Sequence, residues 1–554
     1  MASKDDQNQQ RETGGLGSPL VKLPAAPVIT GARPVAMQQS LAPPSSAKSI
    51  IDHPLADIPA GTVVSVPPST APSPRSSTTP AAADISRAGL ALTQKLTTPP
   101  VQTMVAPSHY ISMNLDEMAD SLLSVASLRT EKGLQPLLQP APVPTDFSDL
   151  ERLKFFVKRR SWGDACLLAE KLLRSQSSHY APIYNALITN SFDQKLPILD
   201  SQQDEMVQIM MTQCEAWIKL SRYAELGLEV ERWSFCHHND NTAPSWIPWR
   251  LHIMAASSLL YTSEDPSGIE AIDALWKIHQ DIPAEDFLSQ LQVEHALSNS
   301  FIRLKDWRMA LSCQERMLDL LPNACQQQAQ LSAETTNPLT EKTAAAFQGA
   351  YRCEILSQQG RIFLQLGATH EARQIFDMAR DAATHVSVTE ETVQLMRHSI
   401  VPFIPAHISL NNGLLKFSEG QYNEALECFR HCVDLISQRI EMKSAVASLN
   451  SSEVKVLIPM PTGAAPEEAL YSEAINNMSL CALYTCNLHE AILLMESLIR
   501  EDPTKFLTER VCLNLCILYE LSNETSMAAK KKKVLQVIAK RFMLHDIGPS
   551  SYRL

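Results

Sequence analysis

Glycine and aromatic residues are scarce in this chain: 17 of its 554 residues are glycine and 6% are Phe, Trp or Tyr. A β-sandwich or barrel needs turn formers and strand formers at short intervals, so this scarcity argues against an all-β fold. No apolar run approaches the ~18 residues of a membrane-spanning helix. The opening MASKDDQNQQ lacks the apolar stretch of a secretory signal. Cysteine is missing before Cys166, the first of 12. Positive charge is in deficit, with a net charge of -12 and a pI near 5.7. That balance disfavours a broad surface for nucleic acid. The expectation is a soluble, intracellular protein whose cysteines are reduced thiols packed as small apolar residues.

What is present divides into two kinds of polymer. Of the 35 prolines, 20 lie before residue 146. Segments such as Pro67-Pro68-Ser69-Thr70-Ala71-Pro72 cannot hold a helix, because proline lacks the amide donor and clashes with the preceding turn. Residues 1–145 therefore read as a long disordered Pro/Ser/Thr-rich arm. Four Ser/Thr-Pro pairs, at Ser18, Ser73, Thr79 and Thr98, suit proline-directed kinases but also occur in any linker of this composition. One helical stretch, 114–130, interrupts the arm: Leu115, Met118, Leu122, Val125 and Leu128 recur at helical spacing behind a capping Asn114. It suits either a groove on a partner or the protein's own body.

The body from 146 onward is rich in Leu, Ala, Gln, Glu and Met, which favours helix. Ser148 with Glu151 forms a reciprocal helix start. Trp162 and Ala165 then open a second helix after a short turn, giving a helical hairpin. Such hairpins recur in the pattern of a tetratricopeptide repeat (TPR), where small residues stand at the helix contact and bulky ones beside it. The clearest unit places Leu356, Gly360, Phe363, Gly367, Ala372, Phe376 and Ala379 in the seven expected positions. A second runs through Gly413, Phe417, Gly420, Tyr422, Ala425, Phe429 and Cys432. A third has Met478, Leu488, Ala491, Met495 and a closing Pro503, and an earlier one Leu297, Trp307, Ala310, Met317 and a closing Pro322.

The anchor alanines 310, 372, 425 and 491 stand 62, 53 and 66 residues apart, where a plain TPR array would space them at about 34. The excess lies in segments 323–348, 386–404 and 444–466, expected as extra helices or loops. The fold class is thus all-α: an irregular TPR-type α-solenoid behind a disordered N-terminal arm. Its parts are the arm, 1–145; helical hairpins, 146–290; TPR-like repeats with inserts, 291–521; and a capping helix with tail, 522–554.

Chemistry-bearing motifs are few. No Gly-rich phosphate loop, HExxH or paired CxxC occurs in the sequence. Cys428/Cys432 and Cys512/Cys516 each share a helix face, and core packing is favoured over metal for both. Cys236-His237-His238 with Asp240 is the most metal-like cluster, but adjacent residues rarely share one ion on a helix. Trp233, Trp246, Trp249 and Trp276 read as packing residues more than as a stacking platform. Lys530 to Lys533 reads as a solvated helix face before a lipid contact or nuclear signal. No catalytic, cofactor or metal residues are nominated, and a binding scaffold is the default reading.

Four stretches carry a resemblance. They are ILSQQGRIFLQLGATHEARQIF (355–376), NNGLLKFSEGQYNEALECF (411–429), INNMSLCALYTCNLHEAILLMESLIREDP (475–503) and VCLNLCILYEL (511–521), with Ser161-Trp162-Gly163-Asp164-Ala165 at the start of the body. Together they resemble the subunit 12 family of the trafficking protein particle (TRAPP) complexes over about residues 148–545. The resemblance implies a non-catalytic scaffold subunit of TRAPP III, a vesicle-tethering complex of ER-to-Golgi transport and autophagy. The implied partners are other TRAPP subunits, especially the large complex-specific ones, with no cofactor, no nucleic acid and no membrane span. It also implies a cytoplasmic protein attached indirectly to vesicle or Golgi membranes. The alternative is a TPR co-chaperone or adaptor that holds peptide C-termini, for which Asn411 and Asn412 are placed but lack a clear basic set.

Overall fold

A computed structural model describes residues 113–125, 133–175, 178–189, 200–233, 247–263, 267–333, 341–384, 386, 401–446, 466–522 and 525–553. All of these fall in one compact unit, Asp52–Leu554. Most of the N-terminal arm, up to residue 112, lies outside the described residues, as do 126–132 and the Cys236-His237-His238 cluster.

The described residues form helices and no strands. In chain order they are α1 (Leu115–Ser124), α2 (Asp149–Lys158), α3 (Trp162–Arg174), α4 (Ala181–Thr189), α5 (Asp200–Lys219) and α6 (Tyr223–Arg232). Then follow α7 (Trp249–Thr262), α8 (Ile269–Asp281), α9 (Phe287–Arg303), α10 (Trp307–Ala333), α11 (Glu341–Gln365) and α12 (Thr369–Thr384). The series ends with α13 (Ile404–Ser418), α14 (Tyr422–Val446), α15 (Pro466–Tyr484), α16 (Leu488–Glu501), the single turn α17 (Pro503–Phe506), α18 (Glu509–Ser522) and α19 (Thr525–Arg541). Packing runs from neighbour to neighbour along the chain, as α9 on α10, α10 on α11, α11 on α12 and so on to α18 on α19. This is the contact pattern of a solenoid.

Six hairpins use one turn. Arg160, Ser221, Lys305, Gly367, Gly420 and Cys486 all have left-handed φ, between 55° and 75°. The residue after each donates its amide back to the carbonyl five residues earlier, as in Ala368 to Phe363 and Asn487 to Ala482. This bond satisfies a carbonyl the helix end would leave orphaned, and the left-handed residue is what brings donor to acceptor. Five residues after each turn comes a fully buried residue: Ala165, Leu226, Ala310, Ala372, Ala425 and Ala491. The turn therefore fixes the register, and at the five hairpins with alanine the small side chain lets the second helix lie close on the first.

The inserts differ from the expectation. Much of segment 323–348 is taken up by lengthening the repeat helices themselves: α10 has 27 residues and α11 has 25, while α14, also of 25 residues, runs three residues into segment 444–466. Lengthening an existing helix costs one residue's entropy per added bond, whereas a new helix needs a fresh nucleus. Pro322 does not close a unit but sits inside α10. It is exposed, and its missing amide leaves the Leu318 carbonyl without its usual intrahelical donor. Residues 334–340, 387–400 and 447–465 lie outside the described residues.

Candidate functional site

A solenoid recognises partners with surfaces that its seams hold in place, so the seam residues come first. Gly360 on α11 faces Phe376 on α12, and a Cβ built on Gly360 would collide with that ring. Gly413 on α13 stands in the same relation to Phe429 on α14. Each pair is 16 residues apart, and both rings are fully buried. Leu356 and Ala379 share a neighbouring core, and Phe363 packs half-buried against Ala372, Phe376 and Leu415. Gly367 and Gly420 have open space at Cβ and are needed instead for φ of 73° and 75°. Tyr422 and Trp307 open α14 and α10 as half-buried rings, and Pro503 opens α17 behind Asp502 as N-cap.

Sequence reasoning missed two seam residues. Ser298 and Ser479 stand 12 residues before Ala310 and Ala491, where Gly360 and Gly413 stand before Ala372 and Ala425. Both are buried, and each hydroxyl donates to its anchor alanine's carbonyl, at 3.5 Å and 2.9 Å. Cys214 holds the same position before Leu226 and is fully buried. The available signal was the constant 12-residue offset to a small residue. In the first hairpin the order of sizes reverses, with Leu153 at the glycine position and Ala169 at the phenylalanine position. Conserving volume this way is what a close-packed seam tolerates.

Along α11, α13 and α15, which lie side by side, runs a buried polar chain. Arg361 Nη2 is 2.7 Å from His407 Nε2, and His407 Nδ1 is 2.8 Å from Glu354 Oε2. Both Arg361 and His407 are 1% exposed. A guanidinium can only donate, so Nε2 must accept, which places the imidazole proton on Nδ1 facing the carboxylate. Burial by itself would raise the Glu354 carboxyl, but His407 and Arg361 outweigh it and hold the group at about 2. Arg361 also lies 3.9 Å from Glu473 on α15. Asn411 donates to Ser357 Oγ at 2.7 Å, and that hydroxyl donates to the Cys353 carbonyl. A similar knot joins α8, α9 and α10, where Arg316 holds buried Glu294 by two nitrogens at 2.6 Å and 2.9 Å and His279 adds a third contact at 3.2 Å.

The first and last parts of the body meet. Arg160, at the turn between α2 and α3, donates to Asp546 Oδ2 from Nε at 2.9 Å and Nη2 at 2.7 Å. Its Nη1 reaches the Leu507 carbonyl at 3.0 Å, and Trp162 Nε1 donates to Asp546 at 3.3 Å. The Cβ position of Gly163 lies against the His545 ring. A left-handed residue at this turn thus carries a side chain with a long-range contact.

α1 packs on the body, which resolves one of the two roles open to it. Its box is complete, with Asn114 and Glu117 exchanging bonds, and it ends at Ser124. Met118, Ala119 and Leu123 are buried against α16 and α19. Val125, expected on the apolar face, is exposed beyond the helix end.

The remaining candidates are packing groups. Cys432, Cys512 and Cys516 are buried free thiols in one core, and burial pushes the Cys432 thiol up to about 12. Trp233 is fully buried, and Trp276 lies half-buried under the Arg316 guanidinium. The lysine run is not uniformly solvated: Lys532 is buried against Glu520 and the Arg553 carbonyl, and Lys531 lies over the Tyr519 ring. Among the described residues no helix is long and apolar enough to cross a membrane, and no group of three acidic, His or Cys residues could hold a metal. An aromatic pair does stand out at the turn edge: exposed Tyr484 stacks on half-buried Tyr422 at 4.9 Å with Phe417 edge-on.

No family model matches the chain. It is similar to trafficking protein particle complex subunit 12 of Homo sapiens, 19% identical over 426 residues, which is 70% of this chain and 46% of that protein. It is also similar to subunit 12 of Mus musculus, 22% identical over 188 residues, 34% of this chain and 18% of that protein. The chain thus spans less than half the length of the curated relatives it matches.

Proposed function

We propose that this chain is a non-catalytic scaffold subunit of a trafficking protein particle complex, acting in vesicle-mediated transport. The observation that carries the reading is the similarity to subunit 12 over 70% of the chain. The architecture agrees with it: a neighbour-to-neighbour helical solenoid offers extended partner surfaces, and its buried Arg361, His407 and Glu354 are spent on one another. The finer reading is a TRAPP III subunit in ER-to-Golgi transport and autophagy. It would bind the large complex-specific subunits through the body and reach Golgi or vesicle membranes only through them, from the cytoplasm.

The adaptor alternative is weaker for a specific reason. Holding a peptide carboxylate needs free Asn, Lys or Arg on the inner helices. Asn411 is buried and bonded to Ser357, Asn412 takes Arg380, and Arg361 is committed to His407. Tagging the chain in its native cells and identifying the chains that co-elute in size exclusion tests the choice. TRAPP core and large subunits in one large particle support the scaffold reading. Chaperones alone would overturn it in favour of the adaptor.

A further inference from the structure

The seat of α1 is a groove with a defined chemistry. Its walls are α16 and α19, whose buried Leu498, Ile499, Leu535 and Ile538 share one core with α1. α1 fills it with Leu115, Met118, Ala119, Leu122 and Leu123, one stripe at helical spacing. Two arginines frame it. Arg541, its side chain 12% exposed, pairs with Asp116 and Asp120, one helical turn apart on the flank of α1. Arg500, on α16, donates from Nε to the Leu122 carbonyl at 2.9 Å, caring for the negative end of the helix. Its other nitrogen is held by Glu496, which also takes the Tyr519 hydroxyl and lies 3.7 Å from Lys531. The cation is therefore preset by the body and does not depend on α1 for its position.

We propose that this groove is a docking site for an amphipathic helix of a partner protein, and that α1 is its intramolecular competitor. The occupant it fits is short, apolar on one face, and carries two carboxylates four residues apart on the flank. Every element of the recognition is generic to such a helix: an apolar stripe, a backbone carbonyl at the C-terminus, and an i, i+4 pair of acids. Nothing in it needs covalent continuity with the body. A helix of 10 residues is marginal alone, so α1 folds as it docks and is held by its tether's effective concentration. A partner helix with a longer apolar stripe displaces it without any change in the groove. The chain beyond the groove joins the same arginine, since Arg541 also lies 3.4 Å from the Leu138 carbonyl.

The test uses the full chain and a labelled peptide of residues 113–125 as the surrogate helix, and it is independent of whether the chain assembles into a trafficking complex. Met118→Asp with Leu123→Asp ejects α1 while leaving the groove intact. Fluorescence anisotropy should show saturable peptide binding to that variant, and binding at least about tenfold weaker to the wild type, where α1 competes. Adding Arg541→Glu should lose binding by about tenfold or more, and a peptide with Asp116→Lys and Asp120→Lys should recover it, which a merely unfolded groove cannot do. Absence of binding to the ejected variant, or equal binding to both forms, overturns the proposal. So does a wild-type dimer that dissolves on ejecting α1, since the occupant would then be a second copy's helix.

Discussion

Arg160 and Asp546 are separated by 386 residues and form an ion pair in which Nε and Nη2 both donate to Oδ2. Because their side chains are 17% and 10% exposed, removing one leaves the other nearly buried without its counter-charge. Asp546→Ala is expected to cost about 3 kcal/mol at this junction. Hydrogen exchange should show α3 and residues 504–507 losing protection together, with α9 to α14 unchanged. Arg160→Lys should lose much of the same stability, since one ammonium cannot place two donors on Oδ2 as the guanidinium does.

The seam glycines and the turn glycines should respond differently. Gly360→Ala and Gly413→Ala force a methyl into a phenylalanine ring, at a cost of about 1–3 kcal/mol. Pairing Gly360→Ala with Phe376→Leu should recover part of the loss, as the swapped sizes of Leu153 and Ala169 already do in the first hairpin. Gly367→Ala meets open space, so its cost is the left-handed backbone alone, about 1 kcal/mol. Thermal melts of the paired variants check each value.

The converse holds at the turns where no glycine stands. Lys305 and Cys486 are exposed and have φ of 61° and 62°. Lys305→Gly and Cys486→Gly should each stabilise the body by up to about 1 kcal/mol. Arg160→Gly should destabilise despite the same φ, because it removes the pair with Asp546. A melting series over the three variants separates backbone strain from the long-range contact.

Glu354 gives a pH signature. Its folded value, about 2, lies below the ordinary carboxylate value of 4.5. The stability it contributes is therefore complete above about pH 4.5 and is lost as pH falls through about 2. Glu354→Gln should melt lower than wild type at neutral pH, and the gap should narrow as pH falls from about 5 to about 3. A gap that stays constant across that window would show that the His407 and Arg361 contacts do not act through the carboxylate charge.

Much of the helical pattern was legible because the small-large-small alternation is local: it sits within 16 residues of one turn. The 12-residue offset that places Ser298 and Ser479 was equally local, but serine does not announce itself as small the way glycine does. The hairpins around 160 and 221 were legible, but not which residue turns left-handed, since Arg160 and Ser221 stand where a glycine would have marked it. What no periodicity could give is the meeting of Arg160 with Asp546, or the choice of α1 for its own body, because both depend on where the solenoid brings its distant parts. The lengthening of α10, α11 and α14 was hidden by polar residues and a proline that read as linker.

The most direct test of the scaffold reading is the size of the particle that contains this chain at native expression, measured before and after depletion of a TRAPP core subunit. Elution in a large particle that collapses to the lone chain on depletion is the expected result. Elution as the lone chain in both conditions, or in a particle indifferent to the core subunit, would contradict it.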